Sequence, residues 1–245
     1  MQGKSSPPGV EGRISRIAAR QYGVVSRAQL LRIGLSEGAI EHRLRSGRLL
    51  RVRRGVYSVG VTLPSREGRW AAAVLACSPG AVVSHLSASA LWMLRAVDPV
   101  VIDVSVCDRG MRRRDGIRVH RPRALCPEDV TRHRGLPVTT VPRTLIDLAE
   151  VLCTRSLERA VDEAEFLKLL KEAPLHAALD RNAGRTGAKR LRALLRRHQP
   201  GTTRTRSQLE EDFFVLLRSA GLPQPDVNEE VGPFTVELRH EVAQV

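Results

Sequence analysis

Gly23, Gly34 and Gly47 cut the opening of this chain into three helical segments, each too short to be stable unless it packs on the others. In "RISRIAARQYG", Ile14, Ile17, Ala18 and Tyr22 recur at helical spacing, and Gly23 stops the run. Ser26 and Gln29 have the spacing of a capping box at the start of "SRAQLLRIG", which Gly34 ends. Only Leu35 separates that short helix from Ser36, the cap expected for a third helix, "EGAIEHRLRS". The third helix keeps Ile40 and Leu44 inward, shows Gly38, Glu41, His42 and Arg45 outward, and stops at Gly47. In "LLRVRRGVYSVG", Leu50 and Val52 alternate with Arg51 and Arg53. Arg54-Gly55 can turn, and Val56 to Val59 reads as the returning strand. Three helices followed by a hairpin are the parts of a winged helix-turn-helix, in which the third helix enters a major groove and the wing meets phosphates or the minor groove.

Charge supports a polyanionic partner. The net charge is +14, and 12 of the 40 Lys and Arg lie in residues 1–60 against three Glu, a local balance of +9. Residues 201–245 run the other way, with four Arg against eight acids. Arginine pairs with phosphate bidentately and stays charged at any working pH. The expected DNA-contacting set is therefore Ser36, Gly38, Glu41, His42, Arg43 and Arg45 from the third helix, and Arg48, Arg51, Arg53, Arg54 and Tyr57 from the wing. Tyr57 is expected to pack, with its hydroxyl at the rim.

Residues 62–153 read as a mixed α/β domain. "REGRWAAAVLACSPG" and "SHLSASALWML" are helical, the second with Ser84 as its cap, and "VVIDVSV" and "GIRVHRP" are strands. The loop joining the two strands carries Arg109, Arg112, Arg113 and Arg114, either a solvated hairpin loop or a second basic patch that extends a DNA footprint. "GLPVTTVPRTLIDLAEVL" gives a strand and then a helix capped by Thr140, with Pro142 in its first turn. No catalytic arrangement emerges. Ser84-His85 lacks a nucleophile elbow, and neither Asp103 nor Asp147 is tied to it by spacing. The four cysteines, Cys77, Cys107, Cys126 and Cys153, form no CxxC pair and read as reduced thiols, so neither metal nor cofactor is expected.

Residues 154–200 read as a helical segment, with Leu157, Ala160, Val161, Ala164 and Leu167 in register and then a basic amphipathic run carrying Leu191, Leu194 and Leu195. A linker at Pro200-Gly201 leads to a helix with a Thr205/Gln208 capping box, then to the start of a strand pair. The expected class is α+β, divided as 1–11 (flexible start), 12–61, 62–153, 154–200 and 201–245. The apolar run "AAAVLAC" falls far short of the ~20 residues a membrane span needs. The expectation is a cytoplasmic protein without a membrane partner.

The segments "IAARQYGVVSRAQLLRIGLSEGAIEHRLRSGRLLRVRRGVYSVG", "VVSHLSASALWML" and "GLPVTTVPRTLIDLA" resemble actinobacterial antitoxins of the AbiEi family, from type IV toxin–antitoxin systems. The resemblance covers roughly residues 12–200. It implies an autorepressor that binds an inverted repeat in its own promoter as two copies. It also implies a following domain that counters a nucleotidyltransferase-like toxin. "TRSQLEEDFFVLLRSAGLPQPDVNEEV" is similar to the opening of very-short-patch-repair-like endonuclease domains, which have the restriction-endonuclease core. On that pattern Glu210 is the acid of the first helix, and Glu237 stands where an aspartate is expected. The next acid-bearing strand is missing, and a Mg²⁺ site needs convergent oxygen ligands. The expectation is thus an incomplete, inactive nuclease-like tail on a DNA-binding regulator, the Mg²⁺-dependent endonuclease being the alternative.

Overall fold

The computed structural model describes residues 9–60, 64–77, 79–96, 99–108 and 114–197, and the backbone of 226–231 and 234–239. Residues 1–197 form one compact unit and residues 198–245 a second.

The first unit opens with α1 (Val10–Ala19), β1 (Val24–Ser26), α2 (Arg27–Arg32), α3 (Glu37–Arg45), β2 (Leu49–Arg53) and β3 (Val56–Val59). Ile14 and Ala18 bury one face of α1. Tyr22 does not extend that stripe: it lies past the helix at φ 55°, before Gly23 at φ 82°, and packs toward the neighbouring α/β core. The Ser26/Gln29 capping box forms in both directions, and Ser36 accepts from the amide of Ala39 to cap α3. β1 is a strand the helical reading passed over. It pairs antiparallel with β3, which also pairs with β2, giving the order β1-β3-β2. Gly55 turns the wing at φ 72°.

A five-stranded sheet follows, in the order β6-β5-β4-β8-β7, built from β4 (Val82–Val83), β5 (Ile102–Ser105), β6 (Ile117–His120), β7 (Val130–His133) and β8 (Leu136–Thr139). β5 and β6 are parallel, Ile102 opposite Ile117 and Ser105 opposite His120, so the Arg-rich connection is not a hairpin loop. Alternation along β5 assigns its faces. Ile102 and Val104 join α4 (Arg66–Ala76) in an aliphatic core around Trp70. Asp103 and Ser105 point the other way, toward α5 (His85–Leu91), where Ser87 Oγ accepts from the Asp103 amide at 2.9 Å.

α6 (Val141–Val151) is central to the second core and is sheathed by α7 (Thr154–Phe166), α8 (Glu172–Arg181) and α9 (Thr186–Leu195). Pro142 sits in its first turn as expected, but Thr140 makes no side-chain cap bond. α8 lies within the expected helical segment, though no apolar pattern of its own marked it; it buries only Leu175, Ala178 and Leu179. The core does not break at residues 61/62: Val24 and Val56 of the winged helix belong to the same buried cluster as Trp70 and Val104.

In the second unit β9 (Asp226–Val231) and β10 (Phe234–Arg239) pair antiparallel, from Phe234 opposite Val231 to Arg239 opposite Asp226. Glu237 lies in β10, while Glu210 and the helix expected around it lie outside the described residues.

Candidate nucleic-acid interface

The outer face of α3 and the wing emerge from one core of Ile14, Val25, Leu30, Ile40, Leu49 and Tyr57. Ile40 is inward, so Gly38, Glu41, His42 and Arg45, spaced by three, four and seven residues, share the opposite and exposed face. Arg48, Arg51 and Arg54, where the chain turns into the wing, are exposed. A Cβ added at Gly38 would meet nothing within 4 Å, so no neighbour inside the protein requires glycine there. Glycine so placed lets a backbone approach a ligand closely.

Four residues of the expected set have other duties. Ser36 is occupied by its cap bond at 3.2 Å. Tyr57 is 4 % exposed and belongs to the core, not to the surface. Arg43 gives Nε and Nη2 to Glu11 of α1, at 3.2 and 2.6 Å, and Nη1 to the Ala39 carbonyl at 3.0 Å, fastening α3 to α1. Arg53 is half-buried, and its Nη1 donates to the Asp115 carbonyl at 2.6 Å. The pairing of β2 with β3 shifts between Arg51 and Arg53, which separates two arginines that simple alternation puts together. Leu49, 1 % exposed, is the strand's anchor in the winged-helix core, where the alternation pointed to Leu50. Of the second basic cluster, Arg114 is bridged to Ile117 in a tight turn; Arg109, Arg112 and Arg113 lie outside the described residues.

A second constellation, which spacing alone did not join, lies between the large sheet and α5/α6. The His120 Nε2–H donates to Asp103 Oδ1 at 2.7 Å, and His85 stacks on the His120 ring at 3.5 Å. Ser105 Oγ donates to Ser84 Oγ at 2.8 Å, and Ser84 in turn meets His85 Nδ1 at 3.0 Å. Ser84 therefore makes no cap bond to α5, contrary to its expected role. Asp147 Oδ2 is 4.0 Å from the same His85 Nδ1. A hydrolytic triad needs the nucleophile and the carboxylate on opposite ring nitrogens, and Ser84 is fully buried, so this is a polar support and not a nucleophile. Among the described residues no group of three or more His, Cys, Asp or Glu is arranged to hold a metal ion.

Burial pushes His85 down to about 4 from the ordinary 6.5; Asp147 opposes the shift and His120 adds to it. The folded state therefore prefers neutral His85. Its contribution is fully present above pH 6.5 and is lost as pH falls toward 4, a loss of about 3 kcal/mol. In urea unfolding followed across that window, the wild type should lose stability more steeply than His85→Gln, by up to one proton's worth of slope. Equal slopes would show that His85 is not the group responsible.

Residues 13–60, spanning nearly all of α1 through β3, match the family model described as transcriptional regulator, AbiEi antitoxin. No curated protein matches the chain. The chain thus carries an AbiEi-type regulator domain at its N-terminus.

Proposed function

We propose that this chain is a sequence-specific DNA-binding transcriptional regulator that represses its own promoter and serves as the antitoxin of a type IV toxin–antitoxin pair. The exposed face of α3 carries this reading: Glu41, His42 and Arg45 flank a glycine that the fold does not require. In a major groove, Arg45 suits guanine O6/N7 and Glu41 suits the cytosine amino group. Arg48, Arg51 and Arg54 hold phosphates and set the register. Two copies on an inverted repeat and a nucleotidyltransferase-like toxin as the functional partner follow from the family reading. Growth rescue on co-expression with the adjacent toxin gene tests that half of the proposal.

The DNA half is tested by binding to the chain's own upstream region across a salt series. Affinity should fall steeply with salt, and Arg51→Ala should make the log–log slope shallower by about one. Binding that ignores salt, or that Arg51→Ala leaves untouched, would remove the wing from the interface.

A further inference from the structure

A hydrogen bond outside the core ties the wing to the α/β layer. Arg53 ends β2, and its Nη1 donates to the Asp115 carbonyl at 2.6 Å. Asp115 and Gly116 form the tight turn that Arg114 and Ile117 close by a bridge, immediately before edge strand β6. Gly116 has φ 65°, and a Cβ there would lie 3.4 Å from Arg53 Nη1 and 3.6 Å from Nη2. The guanidinium thus comes close to a residue without a side chain. On either side of Arg53 in the wing, Val52 is packed against the α/β core and Val56 is fully buried in it. The tip itself, Arg54, is exposed. At the wing's own turn, the amide of Arg27 of α2 donates to the Gly55 carbonyl at 2.8 Å.

A phosphate-binding arginine needs its donors free to reach the ligand, and half-buried Arg53 has already given Nη1 to a backbone carbonyl. We infer that Arg53 is a latch and not a DNA contact: it sets the angle of the wing against α3 by pinning β2 to the Asp115-Gly116 turn. The α/β layer is then part of the DNA-reading unit, because the spacing between the wing's phosphate arginines and the reading face of α3 depends on a turn in that layer. Desolvation at this site lowers the pKa of Arg53, in keeping with a guanidinium withdrawn from water. The inference rests on the DNA-binding reading above, but the latch itself exists in the free protein and can be read there.

Two variants approach the latch from opposite sides. Arg53→Ala removes the donor. Gly116→Ala keeps every arginine, strains the turn at positive φ and crowds the guanidinium. Both should bind the upstream DNA about tenfold more weakly while keeping the wild-type salt slope, whereas Arg51→Ala lowers the slope. Arg53→Lys, which can still reach a carbonyl, should recover part of the loss. In the full chain without DNA, both Arg53→Ala and Gly116→Ala should speed hydrogen exchange at the wing amides of residues 53–57 and leave α3 unchanged. A slope shallower by about one in Arg53→Ala, with Gly116→Ala like wild type, would make Arg53 a phosphate contact and overturn the latch. Should the wild type not bind DNA at all, the functional reading falls and exchange alone decides the latch; unchanged wing exchange overturns it.

Discussion

Arg143→Met should cost the first unit about 3–5 kcal/mol, because it removes the fully buried guanidinium shared by two buried carboxylates. Arg143 has no solvent exposure. Its Nη1 donates to Asp129 Oδ2 at 2.8 Å and its Nε to Asp147 Oδ1 at 3.0 Å. Asp129 also accepts from Arg181 at 2.9 Å and from Asn182 at 3.0 Å. Burial by itself would raise the Asp129 carboxyl, but the hydrogen bonds from Asn182, Arg181 and Arg143 outweigh it and hold the group below its ordinary range. With Arg143 gone, Asp147 keeps Arg185 at 2.7 Å, while Asp129 loses its one fully buried cationic partner. At 2–4 °C per kcal/mol, the thermal midpoint should fall by roughly 10 °C. Adding Asp129→Asn and Asp147→Asn should recover part of that, since the penalty is the uncompensated charge and not the missing volume. The exposed Arg192–Asp180 pair is the control: Arg192→Met should change stability by well under about 1 kcal/mol. A drop of that small size for Arg143→Met would mean that water reaches the network.

Gly187→Ala should be comparably harmful for a steric reason. Gly187 is in the first turn of α9, where the helix crosses α6 so closely that an added Cβ would lie 2.1 Å from the Ile146 carbonyl oxygen and 2.8 Å from Glu150 Cγ. Backbone cannot give way as a side chain can, so α9 must lift off α6. The expected loss is about 3 kcal/mol, together with weaker seating of Ala188 and Leu191 in the helical core. Gly184→Ala, three residues earlier with nothing within 4 Å, should be neutral or stabilising by up to about 1 kcal/mol. A urea midpoint for the pair checks the contrast. Equal behaviour of the two variants would show that the α6–α9 crossing is looser than drawn.

What could be read in the sequence was what depends on near neighbours. The Ser26/Gln29 box, the Ser36 cap and the Gly55 turn involve residues within a few positions of one another, and each formed. β1 escaped because its three residues, Val24–Ser26, also supply the cap of α2. The bounds of α8 within the expected helical segment escaped because so few apolar residues mark its inner face. The parallel pairing of β5 and β6 is a property of the whole sheet and leaves no trace in either strand. The same limit governs the candidate interface. The outward face of α3 follows from helical period, but the partners of Arg43 and Arg53 lie 32 and 62 positions away. By sequence both belong with the other arginines; only packing shows which of them are already engaged within the protein. His85 and Asp147 met for the same reason, through α6 folding back over the sheet.

The burial of Val24 and Val56 in the same cluster as Trp70 has a practical corollary for anyone recombining such proteins. Residues 9–60 carry the helices and the wing of the proposed DNA-binding head, yet transplanting them alone would expose two valines and leave a hole against α4. A chimera with altered operator preference should therefore be made by exchanging only the solvent-facing positions of α3, such as Glu41, His42 and Arg45, on an otherwise intact chain.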